Sequence, residues 1–407
     1  MNIKKIIPNL PNENLSNEDA AEIIISLLEK SDDEKFRILC INTLMELNLK
    51  YEKLIKIFEE CAISDSNLKV REVAIYALAK ICWKKPPKRL FEWIIERENS
   101  ILILKAVINS LIDKDKNLSS HLEKKLVLRY SKLFNIIPEE AKFFWDLEVK
   151  LCNEQENITI GKSLIELPYT SRILSNIPKN FLSNSYKPSY TTKHKRVHFL
   201  NLSGLGLEFI PESICLLLNL KYLNLSFNKL KNLLDSINSL SNLKYLNLSN
   251  NKLKEIPDSI KSLSKLRYLN ISFNPLRKIS KHLLRLVKDK ISKRYIWFGV
   301  VPSEALVLGL LEILSGYKLT PLSKDKEFNF NQEFFNSFKL NEQGHVTGLS
   351  IYDNKLNMPL ISVIPKQICD LKHLEILIIP IDKTEVIPDC VRKLTYFEEL
   401  EHRYINR

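Results

Sequence analysis

The chain has 407 residues, 45% of them hydrophobic and 27% charged, and carries a formal charge of +13. That is the composition of a folded chain that stays in solution, with room for two or three domains and a preference for acidic partners: nucleic acid, anionic lipid or an acidic protein face. Only eight glycines are present, against roughly 7% in average usage, so phosphate loops built on glycine are excluded almost by supply.

At the N-terminus, residues 1–8 are too short and too interrupted for a signal peptide. Residues 16–152 then show helical periodicity. Ser16 or Asn17 is placed to cap a first helix, with Glu18 and Asp19 in its first turn. Three polar turns, beginning at Ser31, Ser64 and Glu98, each lead into an amphipathic helix that reaches Leu44, Leu78 and Leu111. Those leucines are 78−44 = 34 and 111−78 = 33 residues apart. A second helix precedes each turn, over residues 19–30, 51–62 and 88–97, and small residues (Cys40, Ala74, Ala77) stand at contact points. The pattern resembles HEAT-type helical repeats; the third copy lacks the arginine that Arg37 and Arg71 give the first two.

Residues 154–196 form a connector in which polar residues and Pro168, Pro178 and Pro188 cluster, expected in part to lie over the exposed edge of the unit beginning near residue 197. Gly161-Lys162-Ser163 lacks the upstream glycine of a phosphate loop, Glu156 standing there instead, so it predicts no nucleotide site.

A strict repeat then begins. In the frame L-x-x-L-x-L-x-x-N-x-L, the first place is taken by Val197, Leu220, Leu243 and Leu266, each 23 residues after the last. Leu200, Leu223, Leu246 and Leu269 take the fourth place, and Leu202, Leu225, Leu248 and Ile271 the sixth. The ninth is Leu205, then Asn228, Asn251 and Asn274. One unit cannot bury that many aliphatic groups, so the units must stack, each with a short strand in one parallel sheet. The asparagine sits where the chain leaves the strand and has both donors and acceptors for the peptide groups stranded there.

This stretch resembles the leucine-rich repeat family, and within it the 23-residue Ras-suppressor-like class, on the strength of Ile210-Pro211 with Ile214 and Ile256-Pro257 with Ile260. The second and fourth units depart from that step with Leu233-Leu234 and Ile279-Ser280. The N-x-S triplets at Asn201, Asn224, Asn247 and Asn270 read as repeat consensus, not glycan acceptors.

Residues 287–337 interrupt the repeats. The apolar window from Ile296 to Leu314 is broken by Pro302, Ser303, Glu304 and Glu312, which predicts a buried helix over 303–315 ended by Gly316 and no transmembrane segment. Phe338 to Leu340, Asn341 to Gly344 and His345 to Ile351 read as a hairpin covering the open end of the core. Val346, Leu349, Ile351, Asn354 and Leu356 reopen the frame. Leu374, Leu377 and Ile379 with Asp382 and Ile387-Pro388 repeat it, and Phe397 and Leu400 begin a further unit.

The fold expected is thus α+β multidomain: a HEAT-like α-solenoid (1–153), the connector and cap (154–196), a leucine-rich repeat α/β solenoid with a parallel sheet (197–290), a helical insertion (291–340) and a second repeat block (341–407). Seven cysteines without a C-x-x-C pair predict free thiols in a reducing, cytoplasmic setting, with Cys215 and Cys369 as apolar fillers behind the sheet. His194 and His198 have helix-like spacing but no neighbouring carboxylate or third ligand, and Cys369 and His373, with the same spacing, sit on repeat-frame positions, so no metal, cofactor or catalytic group is predicted.

Strand alternation places a column of rings on the concave side: Phe199, Tyr222, Tyr245 and Tyr268. Beside it run an amide column (Asn201, Asn224, Asn247, Asn270), a basic column (His198, Lys221, Lys244, Arg267) and Phe227 and Phe273 at place eight. Exposed rings next to cations are favoured at protein interfaces. This predicts a non-catalytic adaptor or scaffold that binds a partner there; the resemblance implies a small GTPase or its regulator. A second basic patch comprises Arg277, Lys278, Lys281, Arg285, Lys288, Lys290, Lys293 and Arg294. It gives an alternative, nucleic-acid or anionic-membrane binding, against the plainer reading of a solvated capping helix. A GTPase-activating role would need an arginine finger, for which Arg267 is the concave candidate.

Overall fold

Side-chain caps set the helical third. Ser16 accepts from the Asp19 N–H at the start of α1 (Asn17–Lys30). Asp33 caps α2 (Glu34–Glu46) in the same way. Helix α3 (Glu52–Ser64) runs into α4 (Leu68–Ile81), which Asn67 caps. Next come α5 (Lys88–Arg97), α6 (Ile101–Leu111), α7 (Lys116–Phe134), capped by Asp115, and α8 (Pro138–Cys152). In all, a computed structural model of the chain describes residues 16–47, 52–152, 189–276, 279–316, 318–323, 336–351, 364–378 and 388–394. The chain divides into two units, 1–166 and 167–407.

In the first unit the helices pack as successive pairs, and an arginine ladder ties one pair to the next. Arg37 donates to the Leu28 and Ser31 carbonyls, closing the end of α1, and its other nitrogen bonds Asp65 in the following turn. Arg71, one repeat on, donates to the Ala62 carbonyl and bonds Glu98. The third pair has no such arginine of its own. Arg129 of α7 reaches back to the Ile95 and Glu98 carbonyls and to Asn99 instead. Helix C-termini leave carbonyls unpaired, and a guanidinium fork satisfies several at once.

The second unit contains a five-stranded sheet in the order β1 (Ser189–Lys193), β2 (Arg196–Asn201), β3 (Tyr222–Asn224), β4 (Tyr245–Asn247), β5 (Tyr268–Asn270). From β2 onward the pairing is parallel, and the register puts Tyr222 beside Tyr245 and Tyr245 beside Tyr268. The expected edge cover is present: β1 runs antiparallel to β2. The rest of the connector, including Gly161 to Ser163, lies outside the described residues. Places four and six are buried throughout, as is the isoleucine of each 3₁₀ turn behind the sheet: Ile214, Ile237 and Ile260. The turn forms at Asp235–Ser239 even though Leu233-Leu234 replaces the Ile-Pro step.

Each ninth-place asparagine clamps two turns. Asn251 Oδ1 accepts from the Leu230 N–H at 3.1 Å. Its Nδ2 donates to the carbonyls of Leu225, one turn back, and of Leu248 and Ser249 in its own turn. Asn228 and Asn274 repeat the arrangement.

Beyond β5 the chain forms α9 (Lys281–Leu286), a π turn (Val287–Ile291), α10 (Lys293–Trp297) and α11 (Pro302–Ser315). Helix α11 is buried and ends at Gly316, φ 79°, close to the predicted 303–315. It caps the sheet, the Ile271 N–H donating to the Ile313 carbonyl. Its two buried acids are satisfied: Glu304 accepts from the Val346 N–H and contacts His345 Nδ1, and Glu312 accepts from Arg294 and the Tyr295 hydroxyl.

The second sheet is β6 (Thr320–Pro321), β7 (Ser337–Leu340), β8 (Val346–Ser350), β9 (Ile376–Ile378). β7 and β8 form the expected antiparallel hairpin, and β9 joins β8 in parallel. Asn354, Leu356, Asp382, Phe397 and Leu400 lie outside the described residues.

One expectation fails. Cys369, in the 3₁₀ turn Lys366–Asp370, and Cys390, in α12 (Asp389–Arg392), form a disulfide with Cα atoms 5.6 Å apart. They stand on successive turns, 21 residues apart, where stacking brings the backs of the turns together. The free-thiol argument for a reducing compartment does not extend to this pair.

The clamp makes a direct prediction. Asn251→Ala strands four buried peptide groups and should lower unfolding free energy by roughly 3 kcal/mol in a urea titration. Asn250→Ala, one place earlier and half-exposed, should cost far less.

Candidate functional site

Side chains at places two, three, five and eight of the four clamped turns face away from the leucine core, but they do not all meet solvent. Phe199 and Tyr268 are buried, and Tyr222 and Tyr245 pack between them as half-buried rings. The column is continuous: centroids are 6.3 Å apart from Phe199 to Tyr222, 4.7 Å from Tyr222 to Tyr245 and 6.1 Å from Tyr245 to Tyr268. The middle pair stacks with planes 11° apart. Tyr268 is closed off at the end of the sheet that α11 caps; its hydroxyl pKa is pushed up to about 12 by burial. Phe199 and Tyr268 are therefore corrected from partner contacts to flanks of the ladder.

The amide column is also corrected. Asn201, Asn224, Asn247 and Asn270 are buried. Each Oδ1 accepts the N–H of the serine two residues on, at 3.0–3.1 Å. The reason is local: a short amide at the end of a strand folds back on its own turn, as asparagine does in Asx turns. These amides hold the turn.

The basic column stays accessible. Lys221 and Lys244 are half-exposed and Arg267 is exposed, while His198 is half-buried with Nδ1 buried and unbonded. The imidazole pKa is depressed by burial first, and then by Lys221 and Lys193.

At place eight the backbone turns left-handed in every unit: φ is 73° at Gly204, 56° at Phe227, 54° at Asn250 and 54° at Phe273. In the first three units the N–H at this place donates to the seventh-place carbonyl of the next turn, as Phe227 does to Ser249 at 3.0 Å; Phe273, in the last turn, keeps the same conformation. Gly and Asn suit that conformation; a bulky ring there costs about 1 kcal/mol. Both phenylalanines remain half-exposed.

Sequence reasoning missed one signal that was in plain view. Residues 197–207, 220–230, 243–253 and 266–276 contain Lys221, Lys229, Lys244, Lys252 and Arg267 and not one Asp or Glu. Of the five acids in these turns, Glu212, Asp235 and Asp258 begin the 3₁₀ segments behind the sheet, and Glu208 and Glu255 also fall between the segments, Glu208 paired with Lys231 at 3.0 Å.

The second patch is described only in part. Arg277 and Lys278 lie outside the described residues, as does the side chain of Lys290. Arg294 is turned inward to Glu312 and the Tyr295 ring, 4.8 Å from its centroid. Lys281, Arg285, Lys288 and Lys293 are exposed.

Residues 219–276 match the family profile described as leucine rich repeat, and the clamped turns lie across that stretch. The chain thus carries a leucine-rich repeat region, with a unit of paired helices earlier in the sequence. Among solved structures, a leucine-rich repeat protein of Leptospira interrogans is similar at 20% identity and a TM-score of 0.23, over 48% of this chain and 46% of that one. The chain therefore matches less than half of that protein's length. Among curated proteins none matches.

His198 carries a pH prediction. Its folded pKa lies below the unfolded value, so folding excludes a proton. Stability should be full above about pH 6.5 and fall as pH drops through the folded pKa. In urea titrations on either side of that value, His198→Gln should lose less stability on acidification than the parent chain.

Proposed function

We propose that this chain is a non-catalytic adaptor whose concave leucine-rich face captures the acidic surface of a partner protein. The observation that carries the reading is charge segregation. Place two of successive strands reads His198, Lys221, Lys244 and Arg267, in strand segments that hold no Asp or Glu, beside the half-exposed Tyr222–Tyr245 pair. Strands about 4.8 Å apart bring Lys221, Lys244 and Arg267 close enough to repel one another. An acidic partner relieves that repulsion and speeds encounter. The scaffold is preformed by the asparagine clamps, so docking orders little chain.

The left-handed phenylalanines support the same reading. Residues held in sparsely populated backbone regions cluster at binding sites, and Phe227 and Phe273 flank the basic column where Gly or Asn would be more stable. Among acidic-faced partners, small GTPases or their regulators are the first to test, through the resemblance to the Ras-suppressor-like class. A cytoplasmic setting belongs to that proposal. Arg267 is the finger that a GTPase-activating version requires, and unchanged GTP hydrolysis after Arg267→Ala would remove that version.

Two experiments test the reading. Affinity capture from source cells with Lys221→Glu/Lys244→Glu as control should recover an acidic protein with the parent chain and lose it with the variant, at equal thermal stability. Equal recovery by both rejects it. The tyrosine pair is a poorer probe, because truncating stacked rings costs about 1 kcal/mol beyond the area lost. Phe227→Asn separates the roles by sign: it should raise stability by about 1 kcal/mol through relief of backbone strain and yet weaken capture. A gain in both would mean the ring is not a contact.

A further inference from the structure

We propose that the helical segment 281–298 docks on an anionic lipid surface, its cations on the headgroups and Trp297 with Ile296 in the interfacial layer. Trp297 is 82% exposed and Ile296 44% exposed. Fully buried neighbours force them outward. Tyr295 is held inside by Glu312, by Arg294 and by the Phe338 ring at 5.8 Å. The two residues after it must then project, before Gly299, φ 88°, turns the chain back and the Val301 N–H anchors it to the Gly344 carbonyl.

Exposed cations precede them in the same segment. Lys281, Arg285 and Lys288 are separated by 285−281 = 4 and 288−285 = 3 residues, one helix side, and are exposed; Lys293 comes after them. Leu283, Leu286 and Val287 on the other side are buried. The segment's one acid, Asp289, leaves the charge strongly positive.

A lipid surface fits this chemistry better than the other acidic polymers. An indole and an isoleucine standing proud beside a row of lysines suit the boundary of headgroups and chains, where an amphipathic ring is favoured. Nucleic acid would use the cations but gives the aliphatic Ile296 nothing to bury against. The contact is peripheral: among the described residues no single helix is long and apolar enough to cross a membrane, and α11, the apolar helix next in the chain, is buried in the unit.

Sedimentation with phosphatidylcholine vesicles, with and without phosphatidylserine, tests the proposal. The full chain should bind only the serine-containing vesicles, and rising salt should release it. Arg285→Gln and Lys288→Gln should each weaken binding about fivefold, and Trp297→Ala about tenfold. Tryptophan emission should shift to the blue on vesicles, and less so in Trp297→Phe. Equal partition to both vesicle types overturns the proposal, as does parent-like binding by the variants. Retention on duplex DNA or RNA without vesicle binding also overturns it and assigns the cations to nucleic acid. If Trp297→Ala does not fold, the two charge-neutralised variants decide alone.

Discussion

A chain that leaves a parallel strand and turns away from it strands its own peptide groups inside an apolar stack, and the buried asparagine amide is what makes that turn affordable. Asn228, Asn251 and Asn274 each accept one N–H from the turn before and donate to carbonyls both there and in their own turn. A side chain bonded to two turns at once fixes their spacing and their register. Every column on the face depends on that register: rings beside rings, lysines beside lysines. The leucines supply most of the stabilisation, but they would tolerate a slipped stack far better than these bonds do.

The first turn is held by Asn228 and supplies no clamp of its own. Leu205 takes the ninth place, and there is no earlier turn for an asparagine to hold. The open edge is closed by pairing instead, through the antiparallel β1. At the other end α11 takes over, with its own backbone carbonyl receiving the Ile271 N–H. The helical unit solves a similar problem with different chemistry. Arg37 and Arg71 close one helix end and reach a carboxylate in the next pair, and where the third arginine is missing Arg129 supplies the bonds from the opposite direction.

Periodicity made the stack legible from sequence, because a strict 23-residue frame with two inward leucines per strand has few other solutions. Alternation also put the rings on the correct side. It could not say how deep they lie, since depth depends on what arrives from far along the chain. Tyr268 is buried where α11, some 34 residues later, caps the sheet. Arg294 looked like one more surface cation until Glu312, 18 residues on, drew it in. The amide column misled for a different reason: Asn is short enough to satisfy its own turn, so an outward place is not an exposed one. The disulfide had a readable signal in the near-repeat spacing of Cys369 and Cys390, because residues about one period apart become neighbours when turns stack.

The two surface features that stability does not explain point the same way. Left-handed backbone at place eight accompanies the inter-turn hydrogen bond in the first three units and persists in the fourth, and two of the four units place a bulky ring there. Like charges repeat at place two in adjacent strands, where an alternating column would have been more stable. A surface shaped by folding alone would carry Gly or Asn at the first position and mixed charge at the second. Retaining both costs together is intelligible if something outside the chain, carrying negative charge and apolar area, returns what the isolated fold gives up.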